Sequence, residues 1–295
     1  MSQTYENYPV TGTVYKHVYD LLDNNPNLSH EKAIIYLINW PYGFGSALSI
    51  YIENTAFLYS INKNLIVLPH YSNNSRNFKY HDADCNNSFF KYFKYNHSFI
   101  DMNVNIYFAK TVVLSDGPRI RFHIPVLSNP VNKQLLEHFL TNFKPILNEN
   151  VRTYMNSIKK ENRPLIGIHI RSIAQKQLEN PHYLNIDFEK RLQNIKEGIE
   201  NKHPNAIIFI ATDVYLYIQK MKDLFGNIHY LDYIKRIYNE GDSMPQLDKY
   251  KGYTLGSNIM DDCYALSLCD KIYISNSNIP FMITIMNKSI PMEEY

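Results

Sequence analysis

Leu165-Ile166-Gly167-Ile168-His169-Ile170-Arg171 decides the fold. The run is short, rich in β-branched isoleucine, and does not alternate with polar residues. It begins after Arg163-Pro164, where a chain boundary is expected. That pattern predicts a strand buried on both faces, and such strands belong to parallel sheets covered by helices. Working outward, Ala206–Ala211 and Lys271–Ile274 read as strands of the same kind, with a shorter one at Ile228–Leu231. Between and after them, Phe188–Glu200, Val214–Phe225, Ile259–Ser267 and Pro280–Met286 carry helical spacing. Strands alternating with helices predict a doubly wound α/β half.

The first half repeats the grammar less clearly. Lys32–Ile38 reads as a buried strand, Asn39–Gly45 as a Gly-containing loop, Ser46–Asn62 as a helix, and Leu65–Leu68 as a strand ended by Pro69. A short helix is predicted at Val14–Leu22, and 131–158 as a helix in two pieces broken near Lys144-Pro145. Residues 70–130, rich in Asn, Tyr and Phe, give no firm pattern. The expected organisation is two α/β halves, 1–160 and 161–295, facing a cleft.

Composition narrows the function. Lys and Arg total 30 against 28 for Asp and Glu, which excludes the basic surplus of a general nucleic-acid binder. Three cysteines, Cys85, Cys263 and Cys269, provide no disulfide framework. The N-terminus lacks a basic segment followed by an apolar core. No run approaches the roughly 20 apolar residues of a membrane span. The expectation is a cytoplasmic protein.

Ligands of parallel sheets bind beyond the carboxyl ends of the strands. Those ends carry Arg171, then Thr212 and Asp213, then Ser275 to Asn278, and in the first half Tyr42-Gly43-Phe44-Gly45-Ser46. Two of these segments precede helices, whose first N–H groups suit an anion. Arg171 adds a planar fork for phosphate oxygens, and a guanidinium beyond so apolar a strand needs a partner. Asp213 and Asp262 supply acceptors for a base or for sugar hydroxyls. The inventory fits a nucleoside diphosphate carrying a sugar. Each piece also has a structural reading: a tight turn at Gly43 and Gly45, a core histidine at His169, helix caps at Asp213 and at Ser275 to Asn278.

The same residues resemble the fucosyltransferase superfamily, in particular its α1,6 and nodulation members. Ile166-Gly167-Ile168-His169-Ile170-Arg171 is similar to the family's first block, Ile208-Phe209-Ile210-Ala211-Thr212-Asp213 to its second, and Ile259–Asp270 with Ser275–Asn278 to its third. Tyr42-Gly43-Phe44-Gly45-Ser46-Ala47-Leu48 resembles its Gly-rich loop. The resemblance implies a GT-B-like fold of two Rossmann-type halves, a GDP-sugar donor, inversion at the anomeric carbon, and no metal or other cofactor. It implies that Arg171 holds the β-phosphate, shared with Ser277 or Asn278. Gly43, Gly45 and Ser46 would belong to the loop that approaches the diphosphate from the other half, while His169 and Asp262 face guanine. Glu179 stands at the offset of a general base, and the partner would be a glycan or glycoprotein acceptor. Two positions depart from the family: Ser172 replaces a second arginine, and Val214 replaces a second aspartate.

Two other readings stay open. Asp82-Ala83-Asp84 is a D-x-D pair of the kind that holds a divalent metal on a UDP-sugar in GT-A enzymes. A catalytically silent nucleotide- or glycan-binding protein on the same scaffold would also fit Ser172 and Val214.

Overall fold

The computed structural model describes residues 16–38, 44–71, 87–96, 104–111, 130–171, 188–239, 252–275 and 277–295. They fall into two compact units, one holding the described residues up to Ile146 together with 252–256, the other those from Leu147 onward together with 257–295. The division therefore falls after Ile146; the sequence pattern set it at 160.

In the first unit, β1 (Lys16–His17), β2 (Ala33–Ile38), β3 (Ile66–His70) and β5 (Asn105–Lys110) form a parallel sheet in the order β1-β5-β2-β3. A separate antiparallel pair joins β4 (Phe93–Tyr95) to β6 (Phe143–Pro145). Every residue of β2 is buried, as its unbroken apolar run predicts. The helix Phe44–Ile61 leads from β2 to β3, and Tyr51 fastens it by donating its hydroxyl to the Val67 carbonyl at 2.9 Å. Phe89, Phe93, Phe139 and Phe143 pack as an aromatic cluster beside this helix, Phe89 stacked on Phe93 with ring centres 4.9 Å apart and edge-on to Phe143 at 5.2 Å.

One expectation fails at Pro69. It does not end β3 but lies inside it, opposite Leu37. The sheet order makes β3 an edge strand, where the missing N–H of proline leaves no ladder bond unmade. The Pro69 carbonyl is used by the Asn87 side-chain amide at 2.9 Å.

The second unit holds a five-stranded parallel sheet. Its strands are β7 (Leu165–Ile170), β8 (Ile207–Thr212), β9 (Ile228–His229), β10 (Lys271–Ile274) and β11 (Met292–Glu294), in the order β11-β10-β7-β8-β9. The central strands β7 and β8 are buried at every residue. The helices are Glu149–Ile158, Phe188–Lys202, Tyr215–Phe225, Gly252–Ser267 and Ile279–Met286. The fourth begins at Gly252 rather than at Ile259, because its first turns lack the apolar periodicity of its last. Among the described residues no helix is long and apolar enough to cross a membrane.

Asp270 pins the start of the central strand. Its carboxylate accepts from the Leu165 N–H at 2.8 Å and from Lys159 Nζ at 2.7 Å. Burial pushes its carboxyl up, but the Lys159 ammonium and the Leu165 N–H outweigh this and hold it below the ordinary value. A depressed folded pKa contributes stability above the unfolded value, near 4, that is lost as pH falls through the folded value. Asp270→Asn is therefore expected to lower stability at pH 6 and to converge with wild type near pH 2, measured by urea unfolding across that range. A constant difference between the two proteins at all pH values would contradict this.

Candidate functional site

The ligand position of an open parallel sheet is the point where strand order reverses. Here the chain goes from β7 to β8 and β9 on one side, then returns to β10 and β11 on the other. The reversal lies between β7 and β10. Arg171 leaves the carboxyl end of β7 and Ser275 leaves that of β10.

Both ends are fixed by polar contacts. The carbonyl of buried His169 accepts from the Ser275 N–H at 3.2 Å and from the Tyr295 hydroxyl at 2.7 Å. The His169 ring Nδ1 lies 3.3 Å from Ser275 Oγ, which also accepts the Arg171 backbone N–H at 3.1 Å. Tyr295 is seated by the Arg191 guanidinium, which lies over its ring and donates to its carbonyl. Burial pushes the Tyr295 hydroxyl well up, so it remains a proton donor at physiological pH.

The Arg171 side chain does not simply extend into solvent. Its Nη1 donates to Asp213 Oδ2 at 3.0 Å, with the two side chains 25% and 19% exposed. Asp213 follows β8, so the pair bridges the carboxyl ends of neighbouring strands. The sequence pattern cast Asp213 as an acceptor for a base or sugar; in the structure its carboxylate engages Arg171. Val214, where the resemblance implies a second aspartate, is fully buried and bridges to Ile237. A carboxylate there would be desolvated, which explains the apolar residue.

Asp262 sits on the helix Gly252–Ser267 and meets a cation. Arg236 Nη2 lies 3.2 and 3.3 Å from its two oxygens. The arginine side chain is 3% exposed and the aspartate 16%. Arg236 also donates through Nη1 to the carbonyls of Leu231 at 3.0 Å and Ile234 at 3.1 Å, so it closes the turn after β9. Burial pushes the Asp262 carboxyl up to about 7, against the pull of Arg236 and with help from Asp261 and Asp213. The neighbouring Asp261 is engaged elsewhere, accepting from the Tyr233 hydroxyl at 2.7 Å and the Asn148 amide at 3.0 Å.

The remaining sequence candidates divide. Ser277 Oγ accepts the Ile279 N–H at 3.2 Å, a capping contact at the start of the helix Ile279–Met286, and Asn278 is the cap residue without a side-chain cap bond. Gly45 and Ser46 lie in the first unit, at the start of the helix Phe44–Ile61. Gly45 is helical and buried there, not part of the loop in which the sequence pattern placed it. Gly43, Glu179, Asp82 and Asp84 fall outside the described residues. The structure thus brings His169, Arg171 and Asp213 together, with Asp262 close enough to feel the Asp213 charge.

Sequence reasoning missed Arg236 and Tyr295. Arg236 had a signal: it stands among Leu231, Ile234 and Ile237, and an arginine in apolar surroundings needs a partner, the argument that singled out Arg171. Tyr295 had none, since one tyrosine among 25 carries no information.

No protein-family model and no curated protein matches this sequence. Solved structures do. A NodZ α-1,6-fucosyltransferase soaked with GDP-fucose superposes with a TM-score of 0.50 at 13% identity, covering 90% of this chain and 95% of that one. A selenomethionine form of fucosyltransferase NodZ from Bradyrhizobium gives 0.49 at 13% identity, with the same coverage. At such identity the likeness concerns the fold, and the chain has the α/β fold of the NodZ fucosyltransferase.

Proposed function

We propose that this protein is a glycosyltransferase that moves a sugar, fucose from GDP-fucose in the specific form of the reading, to a glycan or protein acceptor, with inversion and without a metal or other cofactor. The observation that carries the reading is the Arg171 guanidinium, held by Asp213 at the strand-order reversal of a sheet whose fold is that of NodZ. That protein was soaked with GDP-fucose, and the donor proposed here is of the same class.

The chemistry follows from the charge that develops. The bond between the sugar C1 and the β-phosphate oxygen breaks, and its electron pair leaves with the diphosphate. An acceptor hydroxyl oxygen forms the new bond to C1 from the opposite face, and its proton passes to a carboxylate, for which Glu179 is the candidate. Arg171 neutralises the departing diphosphate, a fixed positive group aimed where negative charge grows. Asp213 holds that guanidinium by one nitrogen and so fixes the direction of its fork. Asp262 accepts from the N1–H and 2-amino groups of guanine, a pair that uracil lacks. His169 lies beside Arg171 on the same strand end and faces the base, and Ser277 and Asn278 add their helix start to the phosphate.

GDP is expected to raise the melting temperature by several degrees in the presence of EDTA, and UDP by much less. A ligand at about 100 times its Kd stabilises by about 2.7 kcal/mol, which is easily read by thermal shift. An equal shift with UDP, or a shift that requires Mn²⁺, would overturn the proposed donor site.

A further inference from the structure

We infer that Arg236 is a positioning residue for nucleotide-base recognition, acting through Asp262 without touching the ligand. The inference rests on the reading of Asp262 as the base-facing carboxylate.

Exposure separates the two members of the pair. Asp262 keeps an accessible edge at 16%, whereas Arg236 at 3% is sealed behind it. A ligand can reach the carboxylate but not the guanidinium. A single nitrogen of Arg236 spans both oxygens of Asp262, at 3.2 and 3.3 Å. Each oxygen keeps a further lone-pair direction, since a carboxylate accepts about four hydrogen bonds. The contact therefore sets the plane of the carboxylate and leaves acceptor capacity on its open edge.

The rest of the guanidinium makes it a rigid mount. Nη1 is tied to the Leu231 and Ile234 carbonyls, and the group lies 6.0 Å from the Tyr230 ring centre. The turn after β9 is thereby coupled to the helix Gly252–Ser267 through one side chain. Charge works in the same direction. Asp262 is buried beside the carboxylates of Asp261 and Asp213, which favour its neutral form, and Arg236 is the cation in direct contact that opposes them. A neutral Asp262 would present a hydroxyl proton in place of one acceptor and could no longer receive two N–H groups from one base edge. Asp261 is not interchangeable with it, because Tyr233 and Asn148 occupy that carboxylate.

Inosine diphosphate isolates the effect. It is GDP without the 2-amino group, so the ratio of GDP to inosine diphosphate affinity reports the hydrogen bond to the carboxylate and little else. Titration calorimetry on the full chain is expected to show wild type favouring GDP by about 10-fold or more, as a bond to a charged acceptor does. Asp262→Asn and Arg236→Gln should each bring the ratio to within about 2-fold of unity, whereas Asp261→Asn, which removes a charge that favours neutral Asp262, should not lower it. Arg236→Lys, which keeps a cation but cannot reach both carbonyls and both oxygens, should give an intermediate ratio, and it serves if Arg236→Gln does not fold.

An unchanged ratio in the folded Arg236 variants would overturn the inference, as would equal losses for both nucleotides, the mark of a merely structural arginine. A ratio retained in Asp262→Asn would place base recognition elsewhere and sink the inference while leaving the donor reading intact. Absence of GDP binding by wild type would instead remove the donor reading itself, and the inference with it.

Discussion

Arg171→Ala is expected to lower turnover of the nucleotide-sugar donor by about 10²–10³-fold while leaving the protein folded, the loss seen when one fixed donor to a developing negative charge is removed. The side chain supplies the cation at the end of β7, and its pairing with Asp213 orients it. Deleting it leaves Asp213 without that partner. Asp213 is 19% exposed and can be rehydrated, so the stability loss is expected to be small beside the loss of activity. Arg171→Lys should recover only part of the rate, because an ammonium lacks the planar fork. Donor turnover and thermal melting measured on the same preparations check both halves of the expectation. Near-normal turnover in a folded Arg171→Ala protein would remove Arg171 from the site.

Gly167→Val is expected to cost about 1–3 kcal/mol of stability, the range for overfilling a packed core. Valine would ordinarily suit a central strand. Here a Cβ at Gly167 would stand 2.8 Å from Leu266 Cδ2 and 3.0 Å from both Cys269 Sγ and Ile272 Cγ2. Leu266 and Ile272 are fully buried, so neither can swing into solvent. Relief requires these side chains to repack within the core or the helix Gly252–Ser267, which carries Asp262, to shift away from β7. The urea midpoint should therefore fall, and nucleotide affinity should weaken in the same variant. An unfolding free energy within about 0.5 kcal/mol of wild type would show that the packing around Gly167 is looser than the structure has it.

These two residues also show what was readable in the sequence. The isoleucines of 165–170 announce a strand buried on both faces, and an arginine ending such a strand demands a partner; both inferences hold in the structure. The packing reason for Gly167 was not readable, because it depends on Leu266 and Cys269, about 100 residues away along the chain. The strand β5 was missed since Asn105 and Lys110 frame it with polar residues and its first two positions are exposed. It pairs on both sides nonetheless, and Glu31 accepts from Asn105 and Tyr107 near its start. The strand β11 reads as a polar tail, yet Glu293 finds Lys202 and Lys271 at the sheet edge. In each case the deciding term is a tertiary contact that overrides local pattern.

The site was legible in part for the same reason. Strand ends named Arg171, Asp213 and Ser275 because a parallel sheet gathers them whatever the rest of the chain does. They did not give the pairing of Arg171 with Asp213, nor that of Asp262 with Arg236. Ion pairs between elements depend on the length of the turns, and the turn that delivers Arg236 follows a strand of two residues, Ile228–His229.

Release of GDP from GDP-fucose by the wild-type protein in EDTA, followed with a set of glycan and glycoprotein acceptors, decides whether the protein is the transferase proposed above. Acceptor-stimulated GDP release with no added metal is expected, accompanied by a fucosylated product of inverted configuration, and so is loss of that release in Arg171→Ala. Release confined to a UDP-sugar and dependent on Mn²⁺, or no transfer from GDP-fucose or GDP-mannose to any acceptor, would contradict that proposal.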